Sequence, residues 1–197
     1  MNVQLIGLFS TPVMAFNEFI NEEERILLLK EISNIEHFEH GLIDNGAKST
    51  HTSTGRLVDK LMSKAKKLKP LHKKFNSALN EFSKVWGLGS LKLTNSFSNQ
   101  QTVGSKLKKH CHPNSKVSGT LYLNVDKESS PLYFYNPNPY IQIDDFVVDT
   151  EFNWEMFRVQ PQNCQLILFP SWLQHSSGDV VNNTENRTVL SINSEFE

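Results

Sequence analysis

The chain has 197 residues, of which 38% are hydrophobic and 10% aromatic, with 13 Phe. That is enough apolar material for one domain with a real core, and it excludes a disordered chain. Twenty Lys and Arg against 21 Asp and Glu give a net charge of -1 and argue against wholesale nucleic-acid binding; two cysteines, Cys111 and Cys164, are too few for a disulfide framework or a four-thiolate zinc site.

No stretch reaches the roughly 18 consecutive apolar residues that a membrane span requires, and Met1–Phe16 lacks the positive start of a signal peptide. The expectation is a soluble cytoplasmic protein in a reducing compartment. Asn21-Glu22-Glu23-Glu24 reads as a helix start, an Asn cap followed by acids where the helix dipole favours them. Ile26, Leu28, Leu29 and Ile32 supply its expected buried side. From Arg56 to Trp86 the spacing is helical again. Leu57, Leu61, Met62, Ala65 and Leu68 form one stripe, and Phe75, Leu79, Phe82 and Trp86 another. Pro70 between them suits the first turn of a second helix, and Gly87 ends it. The basic run from Arg56 to Lys74 reads as the solvated face of a helix, with a docking surface for an acidic partner as the alternative.

From Ser90 onward, short apolar or alternating runs are punctuated by Asn, Pro, Gly and Ser. Leu91–Phe97, Val117–Val125, Leu132–Tyr135, Ile141–Val148, Gln165–Phe169 and Arg187–Ile192 read as strands, with Asn136-Pro137-Asn138-Pro139 as a turn. Charge divides as well: residues 1–120 carry 17 Lys and Arg against 10 Asp and Glu, whereas residues 121–197 carry 3 against 11. Helices first and six to eight strands after them suggest a mainly β, α+β fold, an antiparallel sandwich or barrel braced by helices on one face. We expect one domain over 1–197, with a helical support region at 1–89 and a metal-binding β core at 90–197.

The densest chemical constellation is His110-Cys111-His112-Pro113-Asn114-Ser115. Two His at i and i+2 on an extended strand point to one face and can reach one metal ion, while Cys111 points away. Two surface His beside a Lys run satisfy the same spacing. Further on, Leu166–Phe169 ends at Pro170, and the turn Ser171-Trp172-Leu173-Gln174 presents His175. Arg187 then opens a β-rich apolar run, where its charge is expensive to bury without an anion. Its planar fork suits a carboxylate; pairing with Glu185 or Glu195 on an edge strand is the other reading.

The order of these blocks resembles the iron(II)/2-oxoglutarate-dependent dioxygenases, whose double-stranded β-helix (a cupin-like jelly roll) holds iron through H-x-D…H. More narrowly, it is similar to the 2-oxoglutarate–iron(II) oxygenases of phages and marine bacteria. The matching blocks are His110–Ser115 with Ser118-Gly119-Thr120-Leu121-Tyr122-Leu123, Phe169–His175, and Arg187 followed by Ser191-Ile192-Asn193. Leu8-Phe9-Ser10-Thr11-Pro12-Val13 also looks like the opening of that group.

The resemblance implies iron(II) held by His110, His112 and His175, with His112 standing where the superfamily usually has Asp. It implies that Arg187 and Tyr122 hold the far carboxylate of the co-substrate 2-oxoglutarate, with Ser191 flanking it and Asn99 reaching in from the preceding strand. Dioxygen would be the second co-substrate. The implied reaction is hydroxylation of a small-molecule or peptidyl substrate. Three neutral His give iron less charge compensation, and three His with an open position is also a zinc geometry. Asp126 and Asp179 are the acids that could supply the missing carboxylate, although neither has the expected spacing. A non-catalytic jelly-roll metal-binding or structural module is the alternative function, and a three-His zinc hydrolase a third. Trp172 is expected to pack beneath the metal loop or touch substrate; Phe97, Tyr133 and Tyr135 are pocket or core aromatics; Cys111 and Cys164 read as small buried residues. The sequence leaves the oligomeric state open, a homodimer included.

Overall fold

The structure, a computed structural model, describes residues 4, 7–45, 47–50, 66–143 and 145–197. Helix α1, Glu22–Ser33, starts at a reciprocal box: the Asn21 side chain accepts from the Glu24 amide at 2.8 Å, and Glu24 Oε2 accepts from the Asn21 amide at 2.9 Å. Leu28 and Ile32 are buried, as expected, but Ile26 is 55% exposed. Residues two apart on a helix diverge by about 200°, so Ile26 cannot share the Leu28 face. Helix α2, Lys69–Trp86, has Pro70 in its first turn and ends at Gly87, whose φ of 70° closes the helix in the left-handed region. Leu57, Leu61, Met62 and Ala65, with the basic residues Arg56, Lys60 and Lys64, lie outside the described residues. Lys67 and Lys74 pair with Glu31 and Glu24 of α1, so this part of the basic run ties the two helices together.

Twelve strands are described: β1 Met14–Phe16, β2 Phe38–Glu39, β3 Ile43–Asp44, β4 Lys48–Ser49, β5 Leu91–Gln101, β6 Lys106–Leu107, β7 Val117–Asn124, β8 Leu132–Tyr135, β9 Met156–Val159, β10 Leu166–Pro170, β11 His175–Ser176 and β12 Arg187–Phe196. Seven form one sheet in the order β1-β10-β7-β12-β5-β4-β2, three form a second in the order β11-β8-β9, and β3 pairs with β6. All of these pairings are antiparallel. The fold is mainly β, a jelly roll braced by helices, as the strand pattern suggests.

Strand alternation sorts the core into two layers. Leu121, Leu123, Leu166, Leu168, Leu190 and Ile192 pack with Leu28, Ile32, Phe75, Leu79 and Phe82 between the large sheet and the helices. Their sequence neighbours Tyr122, Ile167, Phe169 and Val189 point the other way and pack with Leu132 and Phe134 of the smaller sheet. Gly119 sits where strands crowd: a Cβ there would lie 2.5 Å from Leu168 Cδ2 and 2.9 Å from the Ile167 carbonyl.

One expected strand is absent. Ile141–Val148 begins in a 3-10 turn, Pro139–Gln142, and continues as irregular chain in which Ile143, Phe146, Val147 and Val148 are exposed. Among the described residues, no strand pairs with this segment. Among the described residues, no helix is long and apolar enough to cross a membrane.

Candidate metal centre

The site lies between the two sheets. On β5, Leu91 and Leu93 face the helices, and a shift in the β5–β12 register opposite Asn193 and Ser194 then reverses the alternation. Phe97, Asn99 and Gln101 consequently line a cavity of about 390 Å³. Tyr122 and Thr120 from β7, and Arg187, Val189, Ser191 and Asn193 from β12, line the same space.

His110, His112 and His175 converge at one end of that cavity, their ligand atoms all within 4.8 Å of one another. His110 and His175 are locked together by a two-way backbone bridge, amide to carbonyl at 3.0 and 2.9 Å. The His112 amide donates to the Ser171 carbonyl at 2.8 Å, which ties the H-x-H segment to the turn after β10. His110 Nδ1 lies 2.8 Å from the Lys108 carbonyl, and His175 Nδ1 lies 2.9 Å from the Leu173 carbonyl. A carbonyl can only accept, so both Nδ1 atoms carry the proton and both Nε2 lone pairs are left for a metal. His112 Nε2 lies 3.3 Å from His175 Nε2. Two nitrogens each about 2.0–2.1 Å from one ion stand about 3 to 3.4 Å apart, so this pair already has a chelating separation.

The surroundings favour neutral ligands. His175 is buried, with the Phe169 ring edge-on at 4.8 Å and Phe134 at 6.2 Å. Burial, reinforced by the charges of His110 and His112, holds its pKa well below the usual imidazole value; burial also lowers that of His110. Neutral imidazole is the form that binds metal. Among the described residues, no Asp or Glu joins the three His in a metal-binding group. Asp126 accepts from Thr184 and from Ser129 in its own loop, and exposed Asp179 pairs with Lys106 at 3.2 Å. Neither supplies the carboxylate that the H-x-H motif lacks.

At the other end of the cavity, Arg187 is 7% exposed. It donates through Nη1 to Gln101 Oε1 and, at 3.4 Å, through Nη2 to the Ser130 carbonyl. Its guanidinium lies 5.8 Å from the centre of the Tyr122 ring. No salt bridge reaches it among the described residues, so neither Glu185 nor Glu195 is its partner. Arg187 Nε has no hydrogen-bond partner among the described residues either. A buried cation with no carboxylate partner, in a cavity lined by no Asp or Glu among the described residues, has the chemistry to receive an anion. Burial pushes the Tyr122 phenol up to about 12, so it stays protonated and able to donate. Asn99 Nδ2 donates to Ser191 Oγ at 3.4 Å across the strand pair.

The structure thus brings all seven sequence-designated residues around one cavity. Others fall elsewhere. Trp172 is 48% exposed and packs on Trp86 at the end of α2, with ring centres 6.4 Å apart. Tyr135 bonds Ser176 through its hydroxyl, and Tyr133 covers Gly178. Cys111 and Cys164 are half-buried rather than buried, and Cys111 borders the cavity. Gln101 also lines the cavity, on the face that Phe97 and Asn99 share after the register shift. His40, Leu42 and Ile43 also line the cavity mouth; nothing in their local sequence announces it.

Known proteins resemble this chain in sequence family and in fold. Residues 95–193, half of the chain, match the model of a family described as "Putative 2OG-Fe(II) oxygenase", where 2OG is 2-oxoglutarate. No curated protein sequence matches the chain. In fold it is similar to a prolyl-4-hydroxylase from Pseudomonas putida, at 14% identity and a TM-score of 0.65 over 95% of this chain and 94% of that one. HygX from Streptomyces hygroscopicus, solved with nickel, 2-oxoglutarate and hygromycin B, aligns at 12% identity and a TM-score of 0.62 over 94% and 83%. The 2-oxoglutarate-dependent epimerase SnoN of nogalamycin biosynthesis aligns at 12% and 0.65 over 94% and 79%.

Proposed function

The chain belongs to the 2-oxoglutarate–iron(II) oxygenase family, and from that premise we propose that His110, His112 and His175 hold its iron while Arg187 and Tyr122 hold the far carboxylate of 2-oxoglutarate. The protein is an oxidoreductase whose cofactors are iron(II), 2-oxoglutarate and dioxygen, and the non-catalytic module is set aside. The observation that carries the site assignment is the pairing of two complementary ends in one cavity. Three convergent His form one end, and a buried Arg with no carboxylate partner among the described residues forms the other.

The residues present fit both groups. Both Nδ1 protons of His110 and His175 are spent on backbone carbonyls, which orients their Nε2 atoms and leaves those atoms unprotonated. Arg187 offers a charged fork, and Tyr122 a neutral hydroxyl, to an incoming carboxylate. When bound, iron supplies the dioxygen activation that couples conversion of 2-oxoglutarate to succinate and carbon dioxide with oxidation of a substrate. Phe169 and Phe134 shield His175 from water. Asn99 and Ser191 flank the co-substrate's path as a bonded polar pair. The zinc-hydrolase reading loses support because, among the described residues, no carboxylate lines the cavity to act as general base.

The substrate side follows from the same lining. His40, Leu42, Ile43 and Phe97 are part of the lining, and no acid among the described lining residues could neutralise a cation. This supports hydroxylation of an uncharged small molecule or peptide segment. The test is air-dependent formation of succinate by the iron-loaded protein. Wild type is expected to form it slowly without substrate, and His175→Ala is expected to form none. Equal succinate from wild type and His175→Ala would refute the assignment.

A further inference from the structure

We infer that Gln101 is a second binding residue for the far carboxylate of 2-oxoglutarate, gripping it beside Arg187. The inference rests on the proposed role of Arg187 and extends it to a residue outside the matched sequence blocks. Gln101 on β5 is the direct cross-strand partner of Arg187 on β12, is 3% exposed, and lines the cavity. An arginine has donors and no acceptor. The Gln101 amide must therefore turn its oxygen toward the guanidinium, and Arg187 Nη1 donates to Oε1. That choice is forced by chemistry, so it does not depend on which amide atom is drawn where.

The consequence lies at the other end of the amide. Gln101 Nε2 is buried and has no hydrogen-bond partner among the described residues, and the same holds for Arg187 Nε. Arg187 Nη2 has only a long contact to the Ser130 carbonyl, at 3.4 Å. Donors outnumber acceptors around this pair, and the cavity lining holds no carboxylate among the described residues to redress it. Asn99 differs from Gln101 in that its amide nitrogen already has a partner, Ser191 Oγ. Orphaned buried donors are retained where an incoming group satisfies them. A carboxylate brings two oxygens with about four lone-pair sites, enough for a guanidinium edge and an amide N–H together. Gln101 therefore has two jobs: its oxygen sets the rotation of the Arg187 fork, and its nitrogen adds a neutral donor.

The two jobs can be separated with Gln101→Glu and Gln101→Met in the full chain loaded with zinc(II), which permits binding without turnover. In Gln101→Glu the new carboxylate pairs with Arg187 inside the protein. The metal-free variant should melt above wild type, while its affinity for 2-oxoglutarate, read by calorimetry, should fall by at least about thirtyfold. Gln101→Met keeps the shape, loses the donor and should bind about tenfold more weakly. A residue that merely fills space would not move stability and affinity in opposite directions. Wild-type protein that binds 2-oxoglutarate beside a Gln101→Glu variant that binds it equally well would overturn this inference alone. Wild-type protein that ignores 2-oxoglutarate would overturn the assignment of Arg187 and this inference with it.

Discussion

Replacing Arg187 by Met tests whether the buried cation serves the fold or a ligand. The guanidinium is 7% exposed and reaches a neutral amide oxygen, a carbonyl at 3.4 Å and an aromatic ring at 5.8 Å, with no carboxylate among its partners. Met keeps much of the length and removes the charge. The loss is the Gln101 oxygen left unpaired, about 1–3 kcal/mol, and a cation–π contact of about 1 kcal/mol. Against that stands relief of a desolvated charge, an effective penalty of several kcal/mol in proteins. The metal-free variant should therefore unfold within about 2 kcal/mol of wild type, or above it. Two charge-assisted hydrogen bonds at about 1.5–3 kcal/mol each are lost to the ligand, so affinity for 2-oxoglutarate should fall by about 10²- to 10⁴-fold. Chemical denaturation gives the first number, and calorimetry with the zinc-loaded protein gives the second. A variant that is destabilised by more than about 4 kcal/mol yet binds 2-oxoglutarate normally would show that Arg187 is structural.

Three further outcomes are expected. His112→Ala should weaken iron binding about 10²- to 10⁴-fold, since each ligand carries a quarter to a third of a site worth about 10–16 kcal/mol in structural metal domains; competition with a chelator measures it. Burial lowers the pKa values of His37, His110 and His175. The unfolded chain therefore takes up protons near pH 6.5 that the folded chain resists, so the stability these groups contribute is intact above about pH 6.5 and is lost as pH falls toward the folded values. Melting curves of the metal-free protein should show that loss, at most about 1.4 kcal/mol per pH unit for each His. Gly119→Ala forces a methyl against the Ile167 carbonyl and Leu168, and should destabilise by about 1–3 kcal/mol in denaturant titrations.

Local chemistry made the helices and the central strands legible. Asn21 with Glu24, Pro70 and Gly87 are short-range signals, and Leu121, Tyr122 and Leu123 form a continuous apolar run because both faces of β7 are packed. The strand Met156–Val159 was not legible, because its Met156 and Phe157 are exposed and carry no alternation of buried and polar positions. The segment from Ile141 to Val148 misled for the opposite reason: apolar residues there have strand-like composition but meet no sheet edge. At the site, the three His, Arg187 and Tyr122 were legible as motif blocks. Gln101 became visible only once the register shift opposite Asn193 and Ser194 had set which face of β5 turns inward. His40 and Leu42 reach the cavity through the β3–β6 pairing, a long-range contact with no local sequence cue.

The most direct test of the site is an anaerobic titration of iron(II) into the metal-free protein, with and without 2-oxoglutarate, followed by visible absorption. Among the described residues no carboxylate joins the three His, so on this account a negative co-substrate at Arg187 should tighten iron binding by at least about tenfold, and iron should tighten 2-oxoglutarate equally. A band that appears only with both present, at one iron per chain, and vanishes in His110→Ala is the expected result. Iron binding that is indifferent to 2-oxoglutarate and unaltered by His110→Ala would contradict the account.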